Sequence, residues 1–230
     1  MLDIQKTIRA LHQPTRATHA LRFFKTGKGE YGHGDQFLGL TNPQCRAIVK
    51  HHRHASRSII QTLLRSPYHE ERQIALFILV DQFQRGDEKI QKAIYTLYLQ
   101  STSSINNWDL VDCSAYKIVG AHLLQKSRVI LKKLARSISL WERRIAIVST
   151  LAFINIGQFD DTLQIATLLL HDPHDLIHKA VGWMLREVGK RSPRTLKKFL
   201  DRHAPEMPRT MLRYAIERFA PLQRKKYLQL

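Results

Sequence analysis

The feature that most limits how this chain can fold is a recurring amphipathic segment. EERQIAL at 70–76 resembles WERRIAI at 141–147, about two units of 35 residues later. LIHKAVGW at 176–183 follows one unit on, and MLRYAIER at 211–218 one more. A helical pair recurring at that period buries its apolar face only by stacking on its neighbours, so the spacing predicts an all-α helical repeat array.

The rest of the chain agrees with that architecture. Glycine (10) and proline (8) are scarce among the 230 residues, and no strand pair with a hairpin turn stands out. The periodicity predicts helices at roughly 2–12, 15–25, 42–53, 56–65, 68–84, 87–100, 107–124, 127–136, 139–155, 158–170, 173–190, 193–203, 207–219 and 221–228. Asn42-Pro43, Asp172-Pro173 and Ser192-Pro193 each pair an N-cap type with proline at the first helical position. One long irregular stretch, TGKGEYGHGDQFLG at 26–39, interrupts the pattern. The expectation is a single domain over 1–230, a HEAT-, armadillo- or TPR-like α-α superhelix whose concave face is a binding surface.

Charge narrows the partner. Lys and Arg number 37 against 19 Asp and Glu, a formal net charge of +18. Such an excess points first to nucleic acid and second to an anionic membrane surface. The basic residues recur in nearly every unit, among them Arg143, Lys179, Lys190, Arg191 and Arg213. Spread over stacked repeats and unbalanced by acids, they predict a basic groove that tracks a phosphate backbone. The two cysteines, Cys45 and Cys113, lack metal-ligand spacing and read as reduced thiols. The N-terminal MLDIQKTIRALHQ has no apolar leader, and no run of about 18 apolar residues occurs, so a cytoplasmic protein that spans no membrane is expected. A monomer is expected of an array gripping one duplex.

Against that background, INNWDLVD at 105–112 is unusual, because it sets two acids beside a tryptophan in a basic chain. Asn106 or Asn107 suits an N-cap; from Asn106, Asp109 falls at the third helical position, a variant capping box. Asp112 lies four residues after Trp108, on the same helix face, past the reach of the helix dipole. Its bland role is a surface ion pair. Its chemical role is to stabilise a developing cation of oxocarbenium type, with the indole adding cation–π attraction. Trp141 and Trp183 recur in similar repeat positions, and Gly182 leaves room for a ligand or a backbone to approach. Arg144, mid-helix near an apolar stripe, would suit a phosphate anchor or a partner for Asp112. The histidines of HHRH and HDPHDLIH form no complete zinc set, and GKGEYGHG lacks the ending of a P-loop, so no metal and no cofactor is expected.

Four pieces, RFFKTGKGEYGHGDQFLGL (22–40), NNWDLVD (106–112), WERRIAIV (141–148) and DLIHKAVGWMLREVGKRSP (175–193), run in order and together resemble the HEAT-like-repeat DNA alkylation repair family, DNA glycosylases of the AlkD type. The resemblance implies an all-α solenoid that holds duplex DNA in a concave basic groove. It implies hydrolysis of the N-glycosidic bond of cationic N-alkylated purines, of the 3-methyladenine and 7-methylguanine types. Asp112 matches the family's catalytic aspartate, Trp108 and Trp183 its paired cleft tryptophans, and Arg144 its cleft arginine. Phe23 stands where a relative has tyrosine, keeping a stacking face without the hydroxyl. The family is thought to act on a lesion that stays stacked, in contrast to base-flipping glycosylases. The glycine-rich insert at 26–35 is longer than in that relative, and the resemblance leaves room for branches with variant inserts that bind DNA without excising a base. A non-catalytic DNA- or RNA-binding scaffold is therefore the alternative, with a solenoid for an acidic protein partner third.

Overall fold

The computed structural model describes residues 2–230. Among them every regular element is helical, and the one bridge of β type joins Gln36 to Tyr68. The chain separates into two compact units, one up to Ser114 and one from Ala115 onward.

The first unit contains α1 (Asp3–Ala10), α2 (Pro14–Phe23), α3 (Asn42–His52), α4 (Arg57–Leu64), α5 (His69–Arg85), α6 (Glu88–Gln100) and most of α7 (Trp108–Ala115). Its organising element is α5, buried continuously from His69 to Val80. The apolar half of that run, Ile74 to Val80, forms core with Ile60, Leu63 and Leu64 of α4 and Cys45, Ile48 and Val49 of α3. The polar half, His69 to Gln73, is also buried, so each group needs a partner. Glu71 accepts from Gln5 Nε2 (2.8 Å) and Arg9 Nε (2.7 Å), which fastens α1 to α5. Glu70 accepts three backbone N–H groups, from Leu38 (2.9 Å), Gly39 (2.7 Å) and Leu40 (3.3 Å). The end of the 26–39 segment is thereby clamped to α5. Gly39 completes the clamp with φ +79°, and a Cβ there would fall 2.5 Å from the Gln13 carbonyl oxygen.

The second unit starts from a π-helical turn at Tyr116–Gly120 and continues through α8 (Val129–Ala135), α9 (Leu140–Ser149), α10 (Leu151–Asn155), α11 (Asp160–Leu168), α12 (Asp175–Arg191), α13 (Pro193–His203), α14 (Arg209–Ala215) and α15 (Pro221–Leu228). Its core comprises Ile145–Val148, Phe153, Ile154, Ile165, Ile177, Val181, Met184, Leu185, Leu200 and Leu212. Polar links between successive helical layers recur at similar sequence separations. Arg128 donates to Asp161 (2.6 Å) while its guanidinium stacks on Phe153, and Arg191 donates to Asn155 (2.6 Å).

The helices fall close to where the periodicity puts them, with three physical differences. The helix expected over 107–124 is regular only through Ala115, because the following turn widens to π and brings the Gly120 backbone against the Ser149 carbonyl. The helix expected over 139–155 divides at Thr150, whose hydroxyl donates to the Ile147 carbonyl at 2.7 Å. Two caps shift by a residue or two. Thr41, not Asn42, caps α3 in a box with Gln44, and His174, not Asp172, caps α12. Ser192-Pro193 caps α13 as its sequence suggests.

Candidate active site and DNA-contact residues

Trp108 is the first residue of α7, and Asp112 stands one turn further along it. Both are partly exposed, while the intervening Leu110 and Val111 are fully buried. The opposite side of α7 is pinned by Ser114, whose hydroxyl donates to the Leu110 carbonyl (2.5 Å) and pairs with the Tyr98 hydroxyl (2.9 Å). Burial pushes the Tyr98 phenol far up from its usual range, so it stays a neutral hydroxyl.

The start of α7 is held more elaborately than a capping box. Asn107, fully buried, is the cap: its side-chain oxygen accepts from Trp108 N at 2.8 Å. Its amide nitrogen donates to Asp35 Oδ2 (3.2 Å), and Asn106 donates to Asp35 Oδ1 (3.4 Å). Asp35, the last acid of the glycine-rich segment, also accepts from Arg72 Nη2 at 2.6 Å. Asp109 accepts the Leu110 N–H (2.9 Å), but its other oxygen turns to His69 Nε2 (2.8 Å) and Gln73 Nε2 (3.2 Å). The capping box expected from Asn106 is thus replaced by a cap at Asn107 and a long-range carboxylate contact. His69 spans the two acids, its Nδ1 lying 3.4 Å from Asp35 Oδ2. Burial works against charge on His69; the Asp109 charge and the hydrogen bonds to Asp109 and Asp35 overcome it and raise the imidazolium to about 9. Burial works against charge on Asp35 too, and its contacts with His69 and Arg72 hold the carboxyl below its usual value. Two carboxylates and two cations therefore balance in a largely dry cluster.

Aromatic rings close the same corner. Phe24 stacks on Trp108 with centroids 5.5 Å apart and on Phe37 at 5.0 Å; Phe37 stacks on His69 at 4.8 Å. Phe23 meets Trp108 edge-on at 5.8 Å and is 63% exposed. An exposed phenylalanine against a partly exposed tryptophan forms an apolar shelf beside Asp112's helix.

In the second unit, Trp183 lies midway along α12 and is partly exposed. Gly182 beside it admits backbone: a Cβ there would sit 2.5 Å from both the Met211 carbonyl oxygen and Tyr214 Cβ, so the residue serves the packing of α12 on α14. Arg144 is 5% exposed and donates through Nη1 to the Leu176 carbonyl at 2.5 Å. Arg143 donates to Asp172 Oδ2 (2.6 Å) and to the carbonyls of Ser137 (3.0 Å) and Ile138 (2.9 Å), so its guanidinium is engaged within the unit. The histidines of HDPHDLIH serve the start of α12: His174 Nδ1 accepts the Leu176 N–H, and His178 Nε2 meets the Asp172 carbonyl. Lys179 pairs with Asp175 (2.7 Å), Lys190 with Glu187 (2.6 Å), and Arg191 with Glu187 (3.2 Å); Lys190 and Arg191 are exposed and Lys179 partly so. Arg213 is exposed on α14. Trp141 is partly exposed near the start of α9.

The residues missed from sequence are Asp35, His69, Phe24 and Phe37, whereas Asn107 was one of the two caps the sequence offered. The available signal was the polar run YHEERQ opening an otherwise apolar helix, since buried polar groups at a helix start require partners elsewhere. Among the described residues no group of three or more His, Cys, Asp or Glu could hold a metal ion, and no helix is long and apolar enough to cross a membrane.

Comparison with known proteins places these features in a family context. The family model described as DNA alkylation repair enzyme matches residues 4–219. A solved structure described as a predicted DNA alkylation repair enzyme from Enterococcus faecalis superposes with a TM-score of 0.72 at 18% identity, covering 91% of this chain and 97% of that one. That likeness shows a shared all-α helical repeat fold. No curated protein matches the sequence.

Proposed function

Because the chain belongs to the DNA alkylation repair enzyme family, we propose that it is a DNA glycosylase that releases cationic N-alkylated purines, of the 3-methyladenine and 7-methylguanine type, from duplex DNA. The observation that carries this reading is the pairing of Trp108 and Asp112, one turn apart and partly exposed on a helix whose start is locked by a buried ion cluster. A side chain that must meet a transition state gains from being positioned before substrate arrives.

The chemistry asks little more of the protein. An N-alkylated purine already carries positive charge, so the C1′–N bond breaks with its electron pair passing to the base, which departs neutral. No general acid is required. Positive charge moves to the deoxyribose, where the Asp112 carboxylate opposes it and the Trp108 face adds cation–π attraction. Water then bonds to C1′ and gives up its proton to Asp112 and on to solvent. Phe23 is proposed to extend the apolar shelf against the DNA. Trp183 and Arg144 take the roles the family resemblance assigns them, a DNA-facing tryptophan and a cleft arginine. Lys179, Lys190, Arg191 and Arg213 are proposed phosphate contacts. Arg143 is withdrawn from that set and proposed as an internal strut, because Asp172 and two carbonyls engage it.

The test is incubation of the purified protein with duplex containing 7-methylguanine and with unmodified duplex, followed by chromatography of free base. The reading predicts release of 7-methylguanine only. Salt-dependent duplex binding without release would make the protein a DNA-binding scaffold instead.

A further inference from the structure

We infer that His69 is a positioning residue for Trp108 and Asp112, acting as an imidazolium suspended between Asp35 and Asp109. The inference rests on the proposed glycosylase reading for its consequence in activity, but its structural content stands apart from it.

The geometry makes His69 the junction of three elements. It opens α5; its Nε2 reaches Asp109 on α7 at 2.8 Å, and its Nδ1 faces Asp35 of the glycine-rich segment at 3.4 Å. Its ring is packed against Phe24 and Phe37, centroids 4.9 and 4.8 Å away. Phe24 in turn stacks on Trp108. Asp35 holds Asn106 and Asn107, the residues from which α7 departs. His69 therefore bears on Trp108 along two routes, through Asp109 in the helix backbone and through the Phe24 ring.

Only the doubly protonated ring donates to both carboxylates. A neutral imidazole would turn a lone pair toward one of them and leave the cluster with excess negative charge. The charged and titratable groups around it are few. Asp35 faces it from the glycine-rich segment, Arg72 and Glu70 from its own helix, and Asp109 from α7. Arg16 of α2 lines the same small cavity of about 220 Å³, together with Gln73 and Asn42. Cys45 of α3 sits near Glu70 and Asp109; burial pushes its thiol up to about 12, so it contributes no charge. Glu70 is held by three backbone N–H groups and Arg72 by Asp35 and the Ser66 carbonyl. His69 is the member of the cluster whose charge changes in the accessible alkaline range.

The experiment uses the full chain labelled with 5-fluorotryptophan, the Trp108 resonance being assigned by its loss in Trp108→Phe. Fluorine spectra are recorded from pH 6 to 10 for wild type, His69→Gln and Asp35→Asn, alongside single-turnover base release and duplex affinity. In wild type the Trp108 resonance moves with a midpoint near 9, and those of Trp141 and Trp183 do not follow it. His69→Gln abolishes that midpoint and lowers the release rate about tenfold or more, with duplex affinity within about twofold. Asp35→Asn, which keeps the histidine, moves the midpoint down by about one unit. A Trp108 resonance indifferent to pH, or an unshifted midpoint in Asp35→Asn, overturns the inference even if His69→Gln does not fold. So does a His69→Gln variant with wild-type release and pH profile. Absence of base release by wild type would defeat the glycosylase reading alone, because the fluorine titration reads the positioning without it.

Discussion

Arg143 and Asp172 form a two-point ion pair: Nε donates to Oδ2 at 2.6 Å and Nη2 approaches Oδ1 at 3.4 Å. Asp172 also accepts the His174 N–H (2.9 Å), so the pair ties α9 to the residue that caps α12. From sequence alone Arg143 looks like one more phosphate contact in a basic chain. Its geometry makes it internal. Arg143→Ala leaves the Asp172 carboxylate, nearly buried, without its cation, and should cost about 3 kcal/mol. Chemical denaturation checks this, and the slope of log affinity for duplex DNA against log salt should stay at its wild-type value. A slope reduced by about one unit would return Arg143 to the DNA-contact set.

The His69 shift carries a stability prediction with a definite sign. Folding raises its value from 6.5 to about 9, so the folded state binds the proton more tightly than the unfolded chain does. The resulting stabilisation is complete below about 6.5 and is lost as pH climbs through about 9. Some 2.5 units correspond to roughly 3 kcal/mol. Urea denaturation at pH 6 and pH 10 should show that loss in wild type, and His69→Gln should lack the part due to this residue.

Glu70 offers a test of the clamp on the glycine-rich segment. Its two oxygens accept from three consecutive backbone N–H groups, those of Leu38, Gly39 and Leu40. Glu70→Gln removes the charge from those bonds and turns an NH₂ toward donors. A loss of about 2–3 kcal/mol is expected. Hydrogen exchange should rise at residues 38–40 before it rises in α5; unchanged protection there would contradict the clamp.

Gly182→Ala probes the approach of α12 to α14. The added methyl would meet the Met211 carbonyl oxygen and Tyr214 Cβ at 2.5 Å, and one of those contacts is rigid backbone. Despite alanine's better helix propensity, thermal unfolding should show a destabilisation of about 1–3 kcal/mol. A stabilised variant would mean that the helices have slack there.

Much of this was legible in the sequence, for identifiable reasons. Helices such as Glu88–Gln100 and Pro193–His203 follow from local periodicity and caps, which neighbouring residues determine. The Trp108–Asp112 spacing is local too. Asp109 was misread because its deciding partner, His69, lies 40 residues away, and no local pattern reports such a contact. Gly182 was read as room for a ligand or a backbone; only the placement of Met211 decides for backbone. The cap of α12 moved from Asp172 to His174 because Arg143, 29 residues earlier, claims the aspartate. Local chemistry wrote the helices, and long-range pairing of buried polar groups wrote the details of the site.

The central claim is that Asp112 carries the chemistry. Single-turnover release of 7-methylguanine from duplex DNA by wild type and Asp112→Asn, with duplex affinity measured in parallel, tests it most directly. Asparagine keeps the shape and removes the charge. The account predicts a rate at least about 100-fold lower with affinity unchanged or slightly raised. Release by Asp112→Asn at the wild-type rate would contradict it.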